Sequence, residues 1–253
     1  MKSLLFLLFL GFTLGLTGQV RIHSHNDYAQ QNPLYGALDA GASSIEIDII
    51  YKDSTLFVAH ELQSIKQELT LKSLYLDPLR LLTLNEDSRI EGLYVLIDIK
   101  TEAYESLNFI VEALKDLKPF SFPNREKGLH FVISGNRPSP DDYTNYPPHI
   151  FFDCQEIDEN SALAWSRVAM ISQSFRRYSS WKGDTPITTE DHLQLALFIE
   201  NAKTFKIPVR LWAVPDTPLA WRWSIEAGLD YINTDQPKRV SQFLEDQLKK
   251  AAP

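Results

Sequence analysis

Eight times along the chain a short run of branched apolar residues gives way to a stretch with helical spacing, and this alternation limits the fold more than any other feature. The strand candidates are residues 20–24, 44–51, 94–100, 129–135, 149–154, 169–174, 209–214 and 231–235. Helical patterns occupy 33–40, 64–81, 102–117, 161–165, 189–205 and 218–227 between them, with 237–251 after the last. Strands joined through helices lie parallel, and eight such units in 253 residues predict a single-domain α/β chain closed as a (β/α)8 barrel. No Pro/Gly/Ser-rich linker, low-complexity tract or internal repeat divides it. Two irregularities are expected. Asn136 to Pro148 reads as loop, so the helix there is short or missing, and the turn signal Lys52-Asp53-Ser54 opens a hairpin over 56–60 after strand two.

Chemistry in such a barrel gathers at the C-terminal ends of the strands. In Gly41-Ala42-Ser43-Ser44-Ile45-Glu46-Ile47-Asp48-Ile49-Ile50, Ile45, Ile47 and Ile49 take one face of strand two, and Glu46 and Asp48 share the other. Strand three repeats the pattern: Val95, Ile97 and Ile99 on one face, Asp98 and Lys100 on the other. Three carboxylates in one small space repel one another, and a hard cation such as Mg²⁺ or Ca²⁺ would relieve the conflict. Taken alone, Glu-x-Asp fits a solvated strand face better. Lys100 adds a point charge suited to a phosphate. His25 and Asn26 follow strand one, His60 follows the hairpin, and Ser134, Asp153, Ser172, Ser174, Trp212, Thr234 and Asp235 stand at the later strand ends.

Residues 1–18 hold one basic residue, Lys2, an apolar run from Leu4 to Leu16 and the small pair Thr17-Gly18. This is the layout of a signal peptide, with cleavage expected near Gly18-Gln19, a barrel domain over 19–253, and export to the periplasm or medium. The run is too short to span a bilayer, and no stop-transfer pattern follows it. The formal charge of −8 becomes −9 when Lys2 leaves with the signal, and with no basic patch nucleic acid is excluded as a partner. Cys154 is the one cysteine, so no intramolecular disulfide exists; it reads as core at a strand end.

A series of segments, in this order, resembles the glycerophosphodiester phosphodiesterases of the phospholipase-C-like superfamily: His25-Asn26; Glu46-Ile47-Asp48; His60-Glu61; Asp98-Ile99-Lys100; Arg210-Leu211-Trp212; and Ala227 to Pro237. His23-Ser24-His25-Asn26-Asp27-Tyr28 looks most like the branch that includes the fungal altered-inheritance-of-mitochondria family. The resemblance implies hydrolysis of a glycerophosphodiester or a related lipid-derived phosphodiester. His25 and His60 would be the acid–base pair, with His25 favoured as base. One divalent cation, Mg²⁺ or Ca²⁺, would sit on Glu46, Asp48 and Asp98, and Lys100, Asn26 and Trp212 would contact the substrate. The chain departs from the family twice. Asn26 replaces the usual Arg after the first His, and Asp98 replaces the usual Glu, an Asp-x-Lys closer to the sphingomyelinase-D-like phospholipases.

Other readings stay open at this stage. His23-x-His25 could be the Zn²⁺ signature of an amidohydrolase-like barrel, although His130 and His149 stand at strand starts, on the wrong rim. A non-catalytic barrel binding phosphate or glycans is the other. His130, His149 and His192 read as surface or satisfied core, and Trp221 and Trp223 as packing. Asp235 reads as a structural partner for Arg210.

Overall fold

The structure, a computed structural model, describes residues 20–157 and 165–251. The expected signal peptide lies outside the described residues, as does the helix expected at 161–165 apart from Trp165. The elements are β1 (Arg21–Ser24), α1 (Tyr35–Asp39), β2 (Ala42–Lys52), β3 (Thr55–Val58), α2 (Asp77–Leu84), β4 (Tyr94–Ile99), α3 (Ala103–Ala113), β5 (His130–Gly135), β6 (Ile150–Cys154), β7 (Val168–Ser174), α4 (Thr189–Lys203), β8 (Val209–Trp212), α5 (Pro218–Glu226), β9 (Tyr231–Thr234) and α6 (Pro237–Ala251). β1, β2, β4, β5, β6, β7, β8 and β9 pair in parallel in that order, and β9 returns to β1. The barrel is therefore closed with eight strands, as the alternation predicts.

Alternation along each strand divides the two cores. Ile45, Ile47, Ile49, Val95, Ile97 and Ile99 are buried beneath the helices, while Leu96, Val132, Phe151, Ala169, Met170 and Tyr231 form a separate apolar cluster in the lumen. Below that cluster the N-terminal end is closed by aromatic packing. Arg21 lies 4.2 Å from the Tyr231 ring centroid, and His130 stacks on Tyr94 and Phe122 at 4.5 and 4.8 Å. The lumen is thus sealed at one end and polar at the other.

β3 is the expected hairpin. Asp53 and Ser54 take positive φ values of 49° and 59°, the left-handed pair that a tight two-residue turn requires. Antiparallel pairing of Ile49 with Val58 and of Lys52 with Thr55 folds the chain back, so that Ala59 N–H donates to the carbonyl of Asp48 at 3.2 Å. The hairpin thereby delivers His60 to Asp48.

The helix expected at 64–81 starts later. Thr70 bridges Phe57, and Val58 N–H donates to the Leu69 carbonyl, so 65–70 is held as loop against β3. A five-residue π-turn, Lys72–Leu76, then leads into α2. Between β5 and β6 only the 3-10 turn Pro140–Asn145 forms, which matches the missing helix. Cys154, Trp221 and Trp223 are buried as expected.

Candidate active site

The acidic cluster follows from strand parity and register. Glu46 and Asp48 face the lumen because the isoleucines beside them face the helices, and pairing of β2 with β4 sets Asp48 level with Asp98. Each of Glu46, Asp48 and Asp98 offers an oxygen, and these atoms lie within 4.8 Å of one another; among the described residues it is the one such group of three. Burial above all, then Glu46 and Asp48, pushes the Asp98 carboxyl up to about 6 despite Lys100. Asp48 Oδ1 and Asp98 Oδ1 are buried and accept no hydrogen bond, although Lys100 Nζ stands 3.2 and 3.1 Å from them. Gly135 keeps this space open: at φ 67°, a Cβ there would fall 2.1 Å from Asp98 Oδ1. Three hard oxygen donors around two orphaned atoms fit a Mg²⁺- or Ca²⁺-like ion and have no feature of a thiolate site.

Behind the cluster lies a buried ionic network. Arg210, 3 % exposed, donates from Nη1 to Glu46 Oε2 at 2.6 Å and to Asn233 Oδ1 at 2.9 Å. His23 Nε2 sits 2.9 Å from the same Glu46 oxygen, and its Nδ1 is 2.7 Å from Ser44 Oγ. Burial, and after it the Arg210 guanidinium, lowers His23 to about 3, so the ring is neutral, with Nε2 within hydrogen-bond distance of both Glu46 Oε2 and Arg210 Nη1. The opposing effects on Glu46 resolve the other way: burial raises its pKa, and Arg210 with His23 outweighs that and holds it far below the usual range. Glu46 stays ionised, with Oε1 on the His25 side, 3.7 Å from His25 Nε2.

Both expected histidines are oriented through Nδ1. His25 Nδ1 donates to Asp235 Oδ1 and His60 Nδ1 to Asp48 Oδ2, each at 2.7 Å, which leaves both Nε2 atoms free for other partners. Burial alone would lower the His25 pKa, but the Asp235 hydrogen bond and the charges of Glu46 and Asp235 outweigh it and raise it. His25, Glu46, His60, Asp98, Lys100, Arg210 and Trp212 line one cavity of about 390 Å³, together with Ile99, Gly135, Asn136 and Gln155. Trp212, 37 % exposed, is a wall of that cavity.

Some expectations need correction. Asp235 does not pair with Arg210: Arg210 faces inward to Glu46, and Asp235 holds His25 at the rim. Asn26, expected against substrate, turns to Tyr28 Oη (3.1 Å) and to His25, and it does not line the cavity. His149 is buried without a partner at either ring nitrogen, so it is core but not satisfied; His192 accepts from Trp223 Nε1. His23, the first member of the proposed Zn²⁺ pair, has both ring nitrogens committed inside the barrel.

Other residues were not singled out from the sequence. Tyr28 Oη donates to Asp48 Oδ2 at 2.7 Å, and its own pKa rises strongly, first through burial and then through Asp48. Asp27 is fully buried and accepts from Ser24 Oγ, Leu34 N–H and Tyr75 Oη, fixing the loop that carries His25. The usable signal was parity: Arg210 shares a strand face with Trp212, and a guanidinium in a lumen needs a carboxylate.

Comparison with known proteins bears on this geometry. A family model described as "AIM6-like phosphodiesterase domain" matches residues 14–94, and one described as "Glycerophosphoryl diester phosphodiesterase family" matches residues 208–238. The altered inheritance of mitochondria protein 6 homolog of Arthroderma benhamiae is 27% identical over 254 residues, covering 85% of this chain and 81% of its own. The altered inheritance of mitochondria protein 6 of Eremothecium gossypii is 26% identical over 268 residues, covering 88% and 69%. Among solved structures, a glycerophosphodiester phosphodiesterase from Parabacteroides distasonis superposes with a TM-score of 0.60 at 14% identity, covering 91% of this chain and 98% of that one. A Ca²⁺-dependent phosphatidylinositol-specific phospholipase C from Streptomyces antibioticus gives 0.56 at 10% identity, covering 89% and 96%. By these matches the chain is similar to the glycerophosphodiester phosphodiesterase group of the phospholipase-C-like superfamily. Within it, the chain resembles the altered-inheritance-of-mitochondria-6 branch.

Proposed function

We propose that the protein is a metal-dependent phosphodiesterase that cleaves a glycerophosphodiester or related lipid-derived phosphodiester by two-histidine acid–base catalysis. One observation carries the reading: two imidazoles, each held by a carboxylate through Nδ1, open on one cavity with Lys100, Glu46 and Asp98, the last two clustered with the buried Asp48. The substrate's phosphate lies against Lys100, whose charge balances its anionic oxygens. His25 Nε2 takes the proton of the attacking hydroxyl while Nδ1–H remains on Asp235, which steadies the imidazolium that forms. His60, protonated at Nε2 with Nδ1–H on Asp48, gives its proton to the departing alkoxide oxygen. Trp212 walls the pocket against the alcohol. Glu46, Asp48 and Asp98 would hold the divalent ion, which supplies positive charge to the phosphate oxygens.

The test is hydrolysis of bis-p-nitrophenyl phosphate by the purified protein, after chelator and then with Mg²⁺ or Ca²⁺ restored. Turnover that disappears with chelator, returns with either ion, and is absent in His25→Ala and His60→Ala is the expected result. Undiminished turnover in the double histidine variant, or in Asp98→Ala under chelator, would sink the scheme. Export belongs to the same proposal: secreted material is expected to begin near Gln19, and N-terminal sequencing that returned Met1 would remove it.

A further inference from the structure

We propose that Asn26 and Tyr28 are positioning residues that join His25 and His60 in one hydrogen-bonded chain, so that the two imidazoles are aligned together and not each by its own carboxylate alone. The catalytic meaning of this link rests on the phosphodiesterase reading. The carrying observation is that the half-buried Asn26 amide lies between the two supports, one end 3.1 Å from His25 Nδ1 and the other 3.1 Å from Tyr28 Oη. Tyr28 Oη is in turn 2.7 Å from Asp48 Oδ2, the oxygen that holds His60 Nδ1.

The protons fix which end of the amide is which. The Tyr28 hydroxyl has one proton and gives it to Asp48 over the shorter contact, so towards Asn26 it can only accept. His25 Nδ1 carries a proton for Asp235 Oδ1 at 2.7 Å, so it has no lone pair left for an amide N–H. With Oδ1 at Tyr28 and Nδ2 at His25, two acceptors would face each other at one end and two donors at the other. A half-turn of the amide resolves both conflicts. Among the described residues the Asn26 side chain has no other hydrogen bond to oppose that turn. The chain then runs without a break: His25 Nδ1–H shares its proton with Asn26 Oδ1, Asn26 Nδ2 donates to Tyr28 Oη, and Tyr28 Oη and His60 Nδ1 both donate to Asp48 Oδ2.

The main chain holds the bridge in place. Asn26 takes φ 45° and ψ 47°, a left-handed setting that Asn accepts more readily than most side chains, and its carbonyl accepts from Ala29 N–H at 2.8 Å. Tyr28 stands in the 3-10 turn Asp27–Ala29, which the buried Asp27 carboxyl pins through Ser24, Leu34 and Tyr75. Asp235 by itself orients His25, and Asp48 by itself orients His60. What Asn26 and Tyr28 add is a fixed relation between two rings carried by different elements. Hydrogen bonds in series polarise one another, so breaking any link in the middle loosens both ends.

Kinetics on bis-p-nitrophenyl phosphate at saturating Mg²⁺ or Ca²⁺ test the link. Tyr28→Phe, which removes only the hydroxyl, and Asn26→Gly, which keeps the left-handed backbone comfortable, should each lower kcat by about tenfold, the scale of one hydrogen bond, with KM unchanged. The double variant should lose no more than the worse single one, because the chain is already broken. Losses that multiply to about a hundredfold, or wild-type kcat in Asn26→Gly, would overturn the proposal. Ring-nitrogen NMR shifts of protein carrying nitrogen-15-labelled histidine, taken where both imidazoles are neutral, give a readout that a merely structural role would not move. Either variant should shift Nδ1 of both His25 and His60. If Asn26→Gly moves His25 alone and Tyr28→Phe moves His60 alone, the two supports are separate and the proposal fails. No turnover by the wild type with any ion would fell the phosphodiesterase reading, and the NMR shifts would then decide the link by themselves.

Discussion

Asp48 uses its two oxygens for two tasks. Oδ2 accepts from His60 Nδ1 and from Tyr28 Oη, while Oδ1 faces Lys100 and the neighbouring carboxylates. His25 has the simpler support of Asp235, whose side chain is 62% exposed and does little for folding. Asp235→Asn is therefore expected to lower kcat roughly 10- to 100-fold, the scale of a misdirected acid–base group, with the melting temperature unchanged. Steady-state kinetics beside a thermal melt checks both halves, and a melt lowered in step with kcat would mean the role is structural. Lys100 bridges the two oxygens that the expected cation would need. Replacing it with Met should tighten Mg²⁺ or Ca²⁺ binding by about tenfold, read by calorimetry, and slow turnover because the phosphate loses its counter-charge. Unchanged cation affinity would mean that ion and lysine do not share a place. At this scale the sequence was legible wherever strand parity decides the matter, as for Glu46, Asp48, Asp98 and Lys100. Contacts between distant segments were not: nothing in the sequence distinguishes Asp235 as the partner of His25, 210 residues away, from Asp235 as the partner of Arg210.

Among the elements, the β4–β5 pair limits the cluster most tightly. Gly135 ends β5 beside Ile99 at φ 67°, where an added Cβ would meet Asp98 Oδ1 at 2.1 Å and the Ile99 carbonyl at 2.5 Å. Neither the backbone nor the carboxylate can yield without opening the barrel or moving a cluster oxygen. Gly135→Ala is expected to cost about 3 kcal/mol, from left-handed strain and overlap together, and to weaken cation binding as well. Urea unfolding gives the first, and an unshifted midpoint would show that the strand end adapts. The element read least well from sequence was the helix over 64–81. Its apolar spacing continues through residues whose main chain is taken by β3, and tertiary pairing of Thr70 with Phe57 outweighs the local helical preference. The π-turn that follows aims Tyr75 at Asp27 and so steadies the loop bearing His25, a link that no local pattern encodes.

Across the whole molecule, the lumen is layered: ionic groups at the C-terminal end, an apolar middle, and aromatic rings around His130 at the base. The base has a consequence for acid stability. Burial first, and then the positive charge of Arg21, lowers His130 to about 4 from its ordinary 6.5. A histidine with a depressed folded pKa binds a proton more readily when unfolded, so between about pH 6.5 and pH 4 the unfolded chain takes up protons that the folded chain refuses. Stability therefore falls as pH drops through that window and levels off below it. His23, at about 3, works in the same direction from the other end of the lumen. His130→Phe keeps a ring between Tyr94 and Phe122 and removes one titrating group, so it should recover part of the loss and no more. At pH 5 that share is about 1 kcal/mol after allowance for partial exposure, or about 3 °C in a chain of this size. Thermal melts of both proteins at pH 7.5 and pH 5 decide it. The wild type should lose more on acidification than the variant, and equal losses would place the acid sensitivity elsewhere than in the aromatic base.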